Sequence, residues 1–323
     1  MRPTVCRGLV TRAPDAYDRR SRGGVRGAAS LVHWVLLGVV AGVVTGCGPK
    51  AAPGPDSGPP PLPDMPPPAE LVEAHNRRIE LLGRIYSAGV LEFRWLDEEE
   101  EEHIEPQVNA KLWIELPRTT ALRAEKLGEV LLWSGSDDRQ YWLFDLMSDE
   151  HVVYTGRHEG PDGRVEESPL LIRPLALLDL LALTPVPVAE ASAGGLGWEA
   201  EYRAEDAVWV FSTQGAGGPM RLYLDAADRL PTRVETLSPT GEVLLASRLS
   251  RYASVPVPGV STAGRSKIPT LIDIGDPGGR VSIKLALDEP TGFVDDQPWD
   301  RVFDLERLMK ALRPDRVERV GQE

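Results

Sequence analysis

Residues 174–184 read PLALLDLLALT, with leucine at 175, 177, 178, 180, 181 and 183 and Asp179 as the one charge. Pro174 and Pro185 bracket the stretch, which predicts a helix over 174–184. A helix that is apolar nearly all round must be covered on more than one side. A flat sheet covers only one. The segment therefore demands a sheet that wraps around it, or an apolar space that it lines.

The chain on both sides supplies such a sheet. Leu91, Phe93 and Trp95 alternate with Val90, Glu92 and Arg94. Val108, Ala110, Leu112, Ile114 and Leu116 alternate with Asn109, Lys111, Trp113 and Glu115. Shorter runs follow at 120–127, 130–133, 140–146 and 151–156, separated by turn signals such as Gly135-Ser136-Asp137-Asp138. Beyond the leucine segment a second series runs over 197–203, 208–213, 220–225, 230–237, 242–252, 268–274 and 280–287. Period-two alternation implies one buried and one wet face. About 11–13 one-sided strands are too many to lie flat and should curl. The expected fold is mainly β: an incomplete, half-closed antiparallel barrel with helices plugging its concave face. Alternation places Leu91, Phe93, Trp95, Leu112, Ile114 and Leu122 on the inner face, with Leu178 and Leu181 from the leucine segment. A cavity lined by these eight is the candidate ligand site; the opposing possibility is an interior that is simply filled. Trp113 and Trp142 fall on the faces predicted wet, which makes them candidate contacts for a protein partner.

A first helix is predicted over 69–83, where Val72, His75, Ile79, Leu82 and Tyr86 step along one face. No second histidine shares that face, so His75 reads as a hydrogen-bonded packing residue rather than a ligand. Six consecutive acids, Asp97 to Glu102, occupy the first hairpin loop. Calcium loops space their ligands with glycine or asparagine, so this run reads as a solvated loop. A polar tail, 291–323, ends in a short helix over 304–312 stopped by Pro314.

The N-terminal part has a different character. An arginine-rich head leads into the 17-residue apolar run 28–44, followed by Thr45-Gly46-Cys47. This pattern resembles a bacterial lipoprotein signal peptide with its lipobox. The resemblance implies cleavage before Cys47 and a diacylglyceryl group on its thiol, giving a membrane partner through an N-terminal lipid anchor. A permanent transmembrane anchor is the alternative, although 17 residues with glycines and His33 are short and weak for spanning. Residues 48–68 hold ten prolines, an extended spacer reaching at most ~60 Å. The expected organisation is thus signal 1–46, lipidated cysteine and linker 47–68, half-barrel 69–290 and tail 291–323.

Charge and cysteines exclude several functions. Of 36 basic and 49 acidic side chains, seven arginines and two aspartates precede Cys47, leaving 29 against 47 from Cys47 onward. Such an excess argues against nucleic acid and against a polybasic membrane contact. The two cysteines are Cys6 and Cys47; cleavage removes the first, so neither a disulfide nor a cysteine metal site is expected. Nucleophile elbows, phosphate loops, paired-histidine zinc helices and serine-lysine dyads do not occur. Histidines 33, 75, 103, 151 and 158 are scattered. The reading is of no catalytic residue, no metal and no cofactor.

The order of elements, together with several phrases, resembles the lipoprotein-localisation carrier superfamily (LolA/LolB-like) over about residues 69–290. The phrases are Ser87-Ala88-Gly89-Val90-Leu91, Leu112-Trp113-Ile114-Glu115-Leu116-Pro117, Trp133-Ser134-Gly135-Ser136-Asp137, Tyr141-Trp142-Leu143, and Tyr223-Leu224-Asp225 ahead of Leu230-Pro231-Thr232-Arg233. The resemblance implies a half-closed, curved sheet, an open mouth plugged by helices, and an apolar interior that takes acyl chains of a lipid or lipoprotein. It implies an envelope location, and Gly48, in place of the aspartate that signals inner-membrane retention in related systems, points to the outer membrane facing the periplasm. The acidic charge, the long proline spacer and the C-terminal helix depart from the superfamily. A non-catalytic envelope module of the same fold, contacting a protein partner, is the competing expectation.

Overall fold

The computed structural model of the 323-residue chain describes residues 66–97, 99–148, 150–158, 173–188 and 197–320. The apolar run 28–44, Cys47 and most of the proline tract lie outside the described residues. In chain order the elements are α1 (Pro68–Glu80), β1 (Arg84–Leu96), β2 (Glu102–Glu115), β3 (Thr119–Lys126), β4 (Glu129–Ser136), β5 (Gln140–Asp145), β6 (Val152–Arg157), α2 (Pro174–Leu180), β7 (Trp198–Arg203), β8 (Val208–Gln214), β9 (Pro219–Asp225), β10 (Pro231–Leu237), β11 (Val243–Ser254), β12 (Lys267–Gly275), β13 (Val281–Thr291), α3 (Trp299–Val302), α4 (Leu305–Leu312) and β14 (Arg316–Arg319). No described helix is long and apolar enough to cross a membrane.

The strands form one open sheet of fourteen, in the order β14-β6-β5-β4-β3-β2-β1-β13-β12-β11-β10-β9-β8-β7. Thirteen of them make antiparallel ladders, and the two meanders join where β1 pairs with β13 from Tyr86↔Thr291 to Trp95↔Val281. The fourteenth, β14, adds in parallel to β6. Its Arg-Val-Glu-Arg sequence has no apolar alternation, which is why sequence periodicity misses it.

The sheet is strongly curled. Leu143 on β5 and Ile274 on β12 border one small cavity, although six strand spacings separate them. In a flat sheet they would stand roughly 29 Å apart at ~4.8 Å per strand. α2 occupies the hollow, packing against β3 and β4 on one side and β10 on the other. Leu175, Leu177, Leu178 and Leu180 of α2 join Leu91, Leu112, Ile114, Phe211, Leu222, Ile272 and Leu285 of the strands in a single core. The nearly all-round apolar character of residues 174–183 is thereby satisfied, as the enclosure argument requires.

The helix is shorter than its sequence predicts. It ends at Leu180, and Ala182 turns left-handed with φ +54°. The Leu183 N–H then bonds Leu178 O at 2.9 Å and the Ala182 N–H bonds Asp179 O at 2.7 Å, a Schellman ending with alanine where glycine is usual. Tertiary partners that capture the carbonyls of this turn override the helical pattern over 181–184.

The convex face of the first meander is the main correction. Trp113 is 2% exposed and Trp142 is fully buried; neither lies on a wet face. The C-terminal tail covers them. Val294, Trp299 and Val302 pack with Trp113 and Ala121, while Leu308 packs with Trp142, Phe144 and Val153. Trp299 Nε1–H donates to Glu115 Oε2 at 2.9 Å, and Arg84 bonds the other oxygen of Glu115 at 2.8 Å. α4 is capped by Asp304, whose Oδ1 accepts the Arg307 N–H at 3.0 Å. Cover on both faces explains why every residue of β5 after Gln140 is buried, Leu143 toward the interior and Trp142 and Phe144 toward the tail.

Candidate functional site

The interior is the candidate site. Its residual space is a cavity of about 30 Å³ lined by Leu91, Leu122, Leu132, Ser134, Leu143, Leu177, Ile274, Ile283 and Leu285. That volume holds on the order of one or two water-sized groups. Its walls come from β1, β3, β4, β5, β12, β13 and α2, so it is the remnant of the hollow that α2 fills.

Of the eight lining residues expected from sequence, Leu91 and Leu122 border this cavity. Phe93, Leu112, Ile114, Leu178 and Leu181 are buried in the surrounding core, all at 1% exposure or less. Trp95 packs against the same core from the mouth. Leu132, Leu143, Ile274, Ile283 and Leu285, with Ser134 and Leu177, complete the cavity wall. Each of the strand residues alternates in phase with its strand, and only the choice of strands facing the plug was missing.

α2 is held by polar contacts rather than by leucine packing alone. Asp179, fully buried, accepts the Thr184 hydroxyl at 2.5 Å, the Ala216 N–H at 2.8 Å and the Gly217 N–H at 2.7 Å. The last two belong to the turn between β8 and β9. A Cβ on Gly215 would sit 2.7 Å from the carboxylate and one on Gly217 would sit 3.0 Å away, so this turn must be glycine-rich to close around it. Desolvation pushes the Asp179 carboxyl up to about 6, against the pull of its three donors.

The residues after α2 are gripped from two more directions. Ser247 on β11 donates to Leu180 O at 2.7 Å. From α1, the Arg78 guanidinium donates to Ala182 O and to Lys267 O (2.9 Å), and His75 Nε2 donates to Thr184 O at 3.1 Å. Asn76 makes a paired bond with the backbone of Val186, both at 2.8 Å. His75 is 1% exposed; burial and the neighbouring Arg78 charge lower its pKa to about 3. It is therefore a neutral packing histidine, as the lone position on the helix face implied. These contacts were invisible in sequence because their partners are backbone groups far away along the chain.

A second, larger cavity of about 420 Å³ opens to solvent at one end of the hollow. Trp95, Asp145, Met147, Ser148, Glu150, Val152, Tyr154 and Arg316 line it. β1 and β6 lie five strand spacings apart, so their meeting here marks the curled mouth. Trp95 is stacked on His103 at 5.1 Å, and His103 in turn bonds Asp97 at 2.6 Å. Of the acid run, Asp97 thus positions an aromatic ring. No group of three or more potential metal ligands occurs among the described residues.

Neither a protein-family model nor a curated protein matches this sequence. Solved structures do. A domain from Vibrio parahaemolyticus, assigned provisionally to outer membrane lipoprotein sorting, is 11% identical and aligns over 72% of this chain and 94% of its own, with TM-score 0.42. A LolA superfamily protein from Nitrosomonas europaea is 13% identical over 74% and 97%, with TM-score 0.42. A DUF1329 family protein from Desulfovibrio piger is 9% identical over 74% and 96%, with TM-score 0.46. The interior of this chain is an apolar core in which a leucine helix is fastened by polar contacts.

Proposed function

We propose that this protein is a membrane-anchored envelope lipoprotein that binds acyl chains of a lipid or lipoprotein inside its curled sheet, with α2 as a displaceable plug. One observation carries the reading: a leucine helix lies within the arc of the sheet and leaves a remnant walled by leucine and isoleucine side chains with Ser134 as the one polar residue, bordered by six strands. At about 30 Å³ the remnant is far below the ~300 Å³ of an ordinary ligand pocket, so the closed form admits a chain only when the plug moves. The latch fits that requirement. It fastens α2 and the residues after it by seven hydrogen bonds to α1, β11 and the β8–β9 turn, each worth about 1–3 kcal/mol net, while a chain repays the displacement at ~0.8 kcal/mol per buried methylene. Binding and release are non-covalent, and the anchor is Cys47, on the outer membrane facing the periplasm.

The test is saturable uptake of a fluorescent fatty acyl probe by delipidated protein. Uptake should accelerate when the latch is weakened. A protein that shows no saturable uptake, in either form, sinks the carrier reading. The competing reading, a structural module that contacts an envelope partner, has lost the residues on which it stood, since Trp113 and Trp142 are covered by the chain's own tail.

A further inference from the structure

The mouth cavity differs from the interior in chemistry, and the difference selects a headgroup. Tyr154 lines the mouth while its direct cross-strand partner, Leu143, lines the inner cavity. Trp95 follows Leu91 and Phe93 along the inward face of β1, and Leu91 also borders the inner cavity. The two spaces are therefore consecutive along the same strands, polar outside and apolar within. An amphiphile whose chain enters the interior leaves its head in the mouth.

The charges in the mouth are not balanced. Asp145 is 7% exposed, and its Oδ1 accepts the Met147 N–H at 3.1 Å. Glu150 adds a second carboxylate. The sole cation in the lining, Arg316, is already engaged by Glu150 at 3.6 Å and by Glu318 at 2.9 Å. Burial raises the Asp145 carboxyl above its ordinary value, and the Met147 N–H and the His151 charge pull it back. Two aromatic residues, Trp95 and Tyr154, line the same cavity as the carboxylates, and Trp95 is fixed by the stacked His103. A buried carboxylate in a cavity lined by aromatic residues is the chemistry that holds an ammonium group and repels an anion.

We infer that the mouth cavity takes a positively charged amino group carried at the end of a long acyl or alkyl chain. This rests on the acyl-chain reading of the interior, and it adds a selectivity which that reading does not require: amine over carboxylate at equal chain length.

The experiment is competition against a bound fluorescent acyl probe at pH 8, using the delipidated full chain and three C16 competitors: hexadecylamine, hexadecanoic acid and hexadecanol. The amine should displace the probe at about one-tenth the concentration the acid needs, as one ion pair with aromatic contact gives roughly a tenfold preference. Asp145→Asn keeps an oxygen for the Met147 N–H and should reduce the amine-to-acid preference to near unity, leaving displacement by hexadecanol unchanged. Trp95→Leu, which keeps the site apolar, should lower the preference severalfold. Equal displacement by all three competitors overturns the inference and leaves the interior reading standing. A preference that survives both substitutions also overturns it, because the amine is then held elsewhere. Failure of every chain to bind removes both.

Discussion

Asp179 and Gly217 meet inside the sheet, the carboxylate Oδ2 accepting the Gly217 N–H at 2.7 Å. The bond joins the plug to the β8–β9 turn at a point without room for a Cβ. Gly215→Ala would place a methyl 2.7 Å from the Asp179 carboxylate, so either the turn or α2 must shift. A loss of about 1–3 kcal/mol in unfolding free energy is expected from such overpacking, read as a lower denaturant midpoint. Because the shift loosens the plug, acyl probe uptake should be faster in this variant than in the wild type. Unchanged stability would mean that the turn is not closed on Asp179.

Asp179→Ala goes further. It strands two N–H groups and the Thr184 hydroxyl in the interior, at roughly 1–3 kcal/mol each where no water reaches them. Arg78→Lys is the matching change on the other side of the latch. A single ammonium cannot reach both Ala182 O and Lys267 O as the guanidinium fork does, so a loss of about 2 kcal/mol is expected. Additive losses in the double variant would show the two halves acting independently; a coupling above about 0.5 kcal/mol would show that they hold one moving unit.

The latch carries two groups whose pH responses oppose each other. His75 binds its proton at about 3 when folded and near 6.5 when unfolded. Below pH 6.5 the unfolded chain holds the extra proton, and stability falls as pH drops. Asp179 is the reverse: its folded value is about 6 and its ordinary value 3.8. Between those values the folded chain holds the extra proton, and stability rises as pH drops. Each contributes a slope of up to ~1.4 kcal/mol per pH unit. Asp179→Asn should therefore lose stability more steeply than wild type between pH 6 and 4, and His75→Gln less steeply. Denaturant titrations at pH 7, 6, 5 and 4 measure the differences; parallel curves for all three proteins would contradict the burial of both groups.

The fold was legible in sequence because its decisive feature is a conflict in local pattern. Residues 174–183 are too apolar for a surface helix, and the alternating strands on either side are too many to stay flat; a curled sheet around a plug resolves both. Alternation also put Leu91, Phe93, Leu112, Ile114 and Leu122 on the inner face. Alternation did not reveal the second buried face. Trp113, Trp133, Trp142 and Phe144 sit at the out-of-phase positions of β2, β4 and β5, and large aromatic residues there signal cover on that side too. The cover comes from residues 294–312, whose apolar positions are few and distant in sequence. The latch was hidden for another reason: apart from the Asp179 carboxylate, its acceptors are backbone carbonyls such as those of Leu180, Ala182 and Thr184, which every sequence possesses.

The tail should prove part of the fold. Removing residues 292–323 uncovers Trp113, Trp142, Phe144 and Val153 together and exposes the edge of β6. At 1.5–3 kcal/mol for each large side chain returned to water, a loss on the order of 5 kcal/mol is expected, with a red shift of tryptophan emission and a tendency to self-associate through the bare face. Leu308→Asp is the milder version, since Leu308 is 4% exposed against Trp142 and Phe144. A truncated chain with unchanged emission and thermal midpoint would place the tail outside the core.

Anchoring can be tested independently of the interior. In the lipobox reading, Cys47 is both the cleavage landmark and the point of lipid attachment, and the ten prolines that follow are a spacer by composition. One acyl chain gives marginal, reversible binding, whereas two or more hold stably, so a diacylated cysteine should keep the protein in the membrane fraction at high salt. Salt matters because the chain from Cys47 onward carries 29 basic against 47 acidic side chains, leaving no electrostatic hold on an anionic bilayer. Cys47→Ser removes the thiol that accepts the lipid. The expected result is unprocessed precursor or a released soluble protein, visible as a mass without the lipid increment. A Cys47→Ser protein that is still processed and still sediments with membranes would move the anchor elsewhere, either to the apolar run 28–44 or to the folded body.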